Sequence, residues 1–319
     1  MTQDSNDNVL EISDLHKTFL LGFFRKRVEA VSGLSLDVRR GEIFGLVGPN
    51  GAGKTTTMKM VLQLIFPTKG KITLFGAPAN DARTRVRLGY LPENPYIYGY
   101  LKPMEFLDLC GRLCDMDRQS RKRRSEELIA RLGLSHAVDR AIGKFSKGMM
   151  QRMGVCQALL HNPELLVLDE PFSGLDPIGR KEIRELILEQ RALGKTVIIT
   201  SHVLHDVEAM ADRVAIIQRG KLMAYGTLAE LLRPEVRRVE LEISDASEAL
   251  RARLQAEATD FRDVQGRLLV VVEGDQRVPE LLRELLSAGA TVHSVTPHRE
   301  TLEDLFVRKA LEGAQEHAS

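Results

Sequence analysis

The chain has 319 residues, with 45 Lys+Arg against 44 Asp+Glu, 43% apolar and 28% charged residues. That length predicts about two domains, and the even charge balance gives no electrostatic case for nucleic acid or an acidic partner, so no nucleic acid is expected. Apolar runs such as 268–272 fall far short of the ~20 residues that span a bilayer; residues 1–8 lack the apolar core of a signal peptide, and three cysteines do not make a disulfide framework. The expectation is a cytoplasmic protein that cannot itself form a channel.

Residues 8–74 read as strands, turns and one glycine-rich loop. Within them, residues 20–27 (LLGFFRKR) are apolar and then basic; a solvated hairpin tip is the reading, with contact to lipid headgroups as the alternative. Residues 42–47 are apolar enough for a buried strand. The loop that follows, Gly48-Pro49-Asn50-Gly51-Ala52-Gly53-Lys54-Thr55, fits the pattern G-x-x-x-x-G-K-[ST]. Residues 55–65 then predict a helix, with no Gly or Pro before Pro67. A strand feeding such a loop at a helix N-terminus makes a phosphate cradle. Its glycines let backbone N–H groups turn inward, and the helix dipole adds about half a positive charge there. Lys54 would reach the outer phosphates and the Thr55 hydroxyl would ligate Mg²⁺. A glycine-rich turn with a surface lysine is the competing reading, and it leaves the flanking strand and helix unexplained.

Residues 103–134 read as helical, from apolar positions at Phe106, Leu109, Leu113, Leu128, Ile129 and Leu132. Cys110 and Cys114, four apart, read as buried helical thiols rather than metal ligands, since no His or further Cys clusters with them. Residues 118–124 carry five basic side chains, a solvated helix face answered by Glu126 and Glu127. Phe145-Ser146-Lys147-Gly148-Met149-Met150-Gln151-Arg152 opens a helix running to about residue 160. Its start is either a second anion site or an ordinary N-cap by Ser146.

Residues 165–168 form an apolar strand ending in Asp169-Glu170. Beside a phosphate loop, the first carboxylate can hold Mg²⁺ and the second can orient or deprotonate the attacking water. Residues 178–192 predict a helix, with Asp176 as N-cap and Pro177 at its first position. Strands follow at 196–200 and 213–218, then a turn at Arg219-Gly220. Thr227 to Glu230 makes a T-x-x-E capping box for a short helix stopping near Pro234. Alternating strands and helices predict an α/β fold with a largely parallel sheet. Beyond Pro234 the pattern starts afresh as βαββαβ, with strands at 239–243, 261–264, 268–272 and 291–295 and helices at 247–256 and 281–288. That order predicts a small ferredoxin-like α+β unit without a chemical motif, read as a regulatory or dimerising module.

Over residues 9–232 these motifs, in this order, resemble those of the ATP-binding subunits of ABC transporters. The phosphate loop is Gly48 to Thr56. Phe145 to Met149 stands at the family signature, LSGGQ, followed by Gln151-Arg152. Asp169-Glu170 ends the Walker B strand, Ser173-Gly174-Leu175-Asp176 stands at the D-loop, and His202 is the switch histidine. The resemblance implies a P-loop NTPase domain over residues 8–233, with a helical signature subdomain at about 95–160, and an accessory domain over 236–312. It implies that Phe19 stacks on adenine and that the loop, including Gly48, Pro49, Asn50, Gly51, Ala52, Gly53 and Thr56, wraps ATP with Lys54. Thr55, Asp169 and Glu93 would serve Mg²⁺, Glu170 would be the general base, and His202 would sense the γ-phosphate. Ser146, Gly148 and Asp176 would complete the site of a partner subunit, in a homodimer or heterodimer closed by ATP.

The stretch after Leu91-Pro92 (ENPYIYGYL) and the added C-terminal module resemble the subgroup serving export-type permeases. The implied function is ATP hydrolysis powering export by a separate integral-membrane permease, from the cytoplasmic face of the membrane. A soluble ATPase acting on ribosomes or DNA is the alternative, although such proteins usually carry two cassettes or a long coiled coil. A nucleotide-binding regulator would be expected to lack Lys54 or Glu170. Three positions depart from the family pattern: Glu93 stands in place of glutamine, and Lys147 and Met149 replace glycine and glutamine of the signature.

Overall fold

Two long strands, β1 (Asn8–Leu21) and β2 (Lys26–Arg39), open the chain and pair antiparallel. Leu34, Leu36 and Val38 alternate with more exposed neighbours on β2, so one face of the pair enters the core. The computed structural model describes residues 7–22, 26–233 and 235–316. The tip of the 20–27 insert, residues 23–25, lies outside them; pairing runs out as far as Leu21 and Lys26.

β3 (Ile43–Val47) is buried at all five positions, as a strand covered on both faces must be. The glycine-rich loop leads into α1 (Lys54–Val61). This helix is shorter than the expected 55–65: Leu62 caps it and Gln63 turns left-handed at φ 56°. β4 (Lys69–Leu74) and β5 (Ala77–Pro78) extend the first sheet to the order β2-β1-β4-β5. A single turn, α2 (Ala82–Arg85), precedes β6 (Leu88–Leu91), a strand the sequence pattern did not suggest.

The helix expected over 103–134 is two helices, α3 (Pro103–Leu113) and α4 (Arg118–Arg131). Asp115 turns left-handed at φ 53° between them, and the Asp117 carboxylate caps α4 by accepting from Ser120 N at 2.9 Å. Cys114 therefore falls at a helix end and is exposed, and Cys110 is only half-buried; of the three thiols only Cys156 is buried. Four of the five basic side chains of the run on α4 form ion pairs: Arg121 with Asp108, Lys122 with Glu126, and Arg123 and Arg124 with Glu127.

The remaining elements of this unit alternate: α5 (Lys147–Leu159), β7 (Leu165–Asp169), α6 (Pro177–Ala192), β8 (Thr196–Ser201), α7 (Leu204–Glu208), β9 (Arg213–Gln218) and β10 (Lys221–Thr227). Their strands join β3 and β6 in a six-stranded sheet of order β10-β9-β3-β8-β7-β6. It is parallel except for β10, which returns antiparallel on β9. One apolar cluster draws on both sheets and α1, through Leu10, Leu36, Phe44, Met58, Leu74 and Val167. Because β3, β7 and β8 are parallel neighbours, their C-terminal ends lie side by side, where parallel sheets place ligand sites.

A second unit begins after Leu228. α8 (Leu228–Leu231) stops before Pro234, which is outside the described residues. Then come β11 (Val236–Ser244), α9 (Glu248–Glu257), β12 (Asp260–Val264), β13 (Arg267–Glu273), α10 (Val278–Ser287), β14 (Thr291–Arg299) and α11 (Leu302–Glu316). The strands form an antiparallel sheet of order β12-β13-β11-β14, the split βαβ arrangement, with its own core around Leu241, Ile243, Leu268, Val270 and Leu285. The terminal helix α11 goes beyond the βαββαβ pattern.

Candidate nucleotide site

The loop between β3 and α1 can take its shape only with glycine at its two ends. Gly48 has φ 153°, and a Cβ there would lie 2.1 Å from the Ile217 carbonyl oxygen. Gly53 has φ 106°, and a Cβ there would lie 2.5 Å from the Ala30 carbonyl oxygen. Gly53 also starts α1 with no side-chain cap, so the first-turn amides face the loop's hollow unspoken for. That hollow is a cavity of about 330 Å³ lined by Ala30, the loop from Asn50 to Thr56, Glu93, Glu170 and His202.

Lys54 is buried, and its Nζ donates to the carbonyls of Gly48 at 2.7 Å and Pro49 at 3.2 Å. The same Nζ lies 3.6 Å from Glu170 Oε1. Gly48 and Pro49 thus stand behind the cavity wall and act on it through Lys54. Asp169, at the end of β7, has no exposed surface. Its Oδ1 accepts from Thr55 Oγ1 at 3.2 Å and from the Thr200 hydroxyl, while its Oδ2 is buried without a partner. Burial pushes the Asp169 carboxyl above its ordinary range, against the pull of the Thr200 and Thr55 hydroxyls. Burial, with the charges of Asp169 and Glu93, also pushes the Tyr90 hydroxyl up.

Glu170 adopts a left-handed backbone, φ 51°, which costs a residue with a side chain about 1–3 kcal/mol. Its neighbours hold it there. The Glu170 amide faces Thr200 O at 3.1 Å and Thr200 Oγ1 at 3.2 Å, and its carbonyl accepts from Gln151 Nε2 at 3.3 Å. The result sets Glu170 Oε2 2.8 Å from His202 Nδ1 and Oε1 toward Lys54. One carboxylate buried with a free oxygen and a second beside a cation and an imidazole suit a divalent cation and a proton acceptor, respectively.

Four expected site residues stand apart from this cavity. Ser146 caps α5, accepting from Met149 N at 3.2 Å, and Gly148 packs toward Gly174 and Leu175. Asp176 caps α6, accepting from Gly179 N at 2.8 Å. Phe19 is half-buried on β1, with Lys17 Nζ 5.0 Å from its ring centroid. Two further residues emerge from the structure: Thr200, which touches both Asp169 and Glu170, and Gln151. Thr200 is paired with Asp169 in the register of β7 and β8, a relation between strands that local pattern does not carry.

The family profile described as ABC transporter matches residues 31–173, and the profile for the C-terminal domain of DrrA1-3-like ATP-binding proteins matches residues 226–310. An uncharacterized ABC transporter ATP-binding protein of Synechocystis is 41% identical over 309 residues, 96% of this chain and 85% of that one. This chain belongs to the ATP-binding proteins of ABC transporters. The bacitracin transport ATP-binding protein BcrA of Bacillus licheniformis is 36% identical over 287 residues, covering 88% of this chain and 92% of its own. Among solved structures, an ATP-binding subunit of an ABC transporter superimposes with a TM-score of 0.63 at 32% identity, covering 70% of this chain and 91% of that one. As the fold and the family have it, this ATP-binding protein is a P-loop ATPase whose hydrolysis of ATP powers transport.

Proposed function

We propose that this ATP-binding protein hydrolyses Mg-ATP at sites shared between two copies, or between it and a related subunit, and so drives export by a separate membrane permease. In this reading Lys54 and the amides of residues 50–56 hold the β- and γ-phosphates, Phe19 packs on the base, and Thr55, Asp169 and Glu93 take the metal. Bound there, Mg²⁺ would neutralise charge on the transferring phosphoryl group. Glu170 accepts the proton of the attacking water, and His202, on the other oxygen of that carboxylate, orients it and meets the γ-phosphate. Ser146, Gly148 and Asp176 act on the partner's nucleotide, which agrees with their standing outside the cavity of their own chain.

The observation that carries this reading is Asp169 Oδ2. A fully buried carboxylate oxygen without a donor is costly, and a cation beside Thr55 would satisfy it. Export is supported by the DrrA-like C-terminal match and by the bacitracin transport relative. A separate permease is supported by the lack, among the described residues, of any helix long and apolar enough to cross a membrane. The working place would be the cytoplasmic face of that membrane. Residues 8–233 would then form the ATPase domain, with the signature subdomain at about 95–160, and residues 236–312 an accessory domain. The test is ATP hydrolysis by the purified protein with and without Mg²⁺, alongside Lys54→Ala. Activity that needs neither Mg²⁺ nor Lys54 would refute the reading, and co-purification with a ribosome rather than a membrane protein would favour the soluble alternative.

A further inference from the structure

Gln151 lies on the second turn of α5, is 1% exposed, and turns its side-chain amide toward the backbone of the carboxylate read as the base. Its Nε2 donates to the carbonyls of Glu170 and Pro171, each at 3.3 Å. Glu170 sits in the left-handed region, which a residue with a side chain leaves unless its neighbours hold it. Thr200 holds the amide side of that turn; Gln151 Nε2 and the Ser173 amide, at 3.1 Å, hold the carbonyl side. Only Gln151 comes from α5, whose first residues follow the Ser146 cap. From Ser146 to Gln151 is five residues, about 7.5 Å of helix. α5 is closely seated there as well: a Cβ on Gly154 would lie 2.6 Å from a Leu91 methyl carbon.

We propose that Gln151 is a positioning residue for hydrolysis, fixing the left-handed turn that aims Glu170 and tying it to the helix that opens at Ser146. The inference rests on the reading of Glu170 as the base and of Ser146 as a contact to the partner's nucleotide. Movement of α5 on engaging one nucleotide then reaches the base facing the other through Gln151, by way of the Glu170 main chain.

Gln151→Met keeps an unbranched side chain of similar size and removes the donor. Its kcat should fall about tenfold, equal to about 1.4 kcal/mol in barrier, with binding of a fluorescent ATP analogue and the circular-dichroism melt close to those of the unsubstituted protein. Gln151→Lys, which restores a donor on a flexible chain, should recover much of the loss and gives a second soluble variant if the methionine one misfolds. Combined with Glu170→Gln, Gln151→Met should lower single-turnover hydrolysis no further, because both changes act on one group. A purely structural role predicts parallel losses of melt, binding and turnover that add to those of Glu170→Gln. That pattern overturns the proposal, as does unchanged kcat in Gln151→Met or no recovery in Gln151→Lys. If Glu170→Gln itself turns over at the unsubstituted rate, the reading of the base fails and this inference with it. If Glu170→Gln is inactive and Gln151→Met is not impaired, this inference alone fails.

Discussion

Replacing Arg213 by Met should loosen the join between the two sheets that carry the nucleotide site. Arg213 starts β9 and is 5% exposed. Its guanidinium lies 3.1 Å from Asp37 Oδ2 on β2 and 3.2 Å from Glu42 Oε1 at the foot of β3, and 4.7 Å from the Tyr225 ring centroid on β10. The two ion pairs do not weigh equally. The Asp37 side chain is 36% exposed, so solvent screens most of its pair, whereas Glu42 is 9% exposed and loses its only buried cation. Breaking a buried pair from one side costs about 3–5 kcal/mol, which lowers the urea midpoint by about 1–2 M at the slopes usual for such domains. The loss should depend on pH. Burial raises the Glu42 carboxyl above its ordinary value, against the Arg39 amide and the Arg213 charge, and removing Arg213 raises it further. A carboxyl raised in the folded state gives up stability as pH climbs from its unfolded value through its folded one. The deficit should therefore be larger near pH 8 than near pH 5. Urea titrations of both proteins at the two pH values, followed by far-ultraviolet circular dichroism, measure this. A midpoint shift below about 0.3 M, or a larger deficit at the lower pH, would refute the reasoning.

Thr200→Val removes one of two donors to Asp169 Oδ1. Losing a hydrogen bond to a charged group costs about 1.5–3 kcal/mol, so the Mg²⁺ concentration for half-maximal hydrolysis should rise about tenfold or more, and Thr200→Ser should restore it. Truncation after Pro234 removes the unit with its own sheet and core and should leave binding of a fluorescent ATP analogue unchanged; loss of binding in a truncated protein that is still folded would show the two units to be one. Ser146→Arg should abolish the ATP-dependent dimer on size exclusion while nucleotide binding to the single chain persists, since Ser146 lies outside its own chain's cavity.

Much of the site could be read along the chain because its parts are local. Gly48 and Gly53 mark backbone that no side chain can follow, and β7 announces its buried end by stopping apolar residues at Asp169. What could not be read depends on distance in sequence. Thr200 matters because the register of β8 sets it against Asp169, and Gln151 because its amide reaches the carbonyls of Glu170 and Pro171 just after β7. Of the apolar positions at 103–134, Phe106, Leu128, Ile129 and Leu132 are buried while Leu109 and Leu113 are exposed, so the spacing joins short buried stretches of two helices into what reads as one face. The break is written only in Asp117, a capping carboxylate, and with it goes the expected burial of Cys114. Lys147 fits the structure where the family has glycine because its stem lies against bare Gly174: a Cβ on Gly174 would meet Lys147 Cδ at 2.6 Å.

The central claim is that Glu170 takes the proton of the attacking water while Lys54, Thr55 and Asp169 bind the nucleotide and its metal. Glu170→Gln keeps size and hydrogen bonding and removes the proton acceptor. Its Mg-ATP hydrolysis should fall by about 10²–10⁴-fold with ATP binding retained, and the protein should elute as a dimer with Mg-ATP and as a smaller species with ADP. Hydrolysis by Glu170→Gln at the unsubstituted rate would contradict the account.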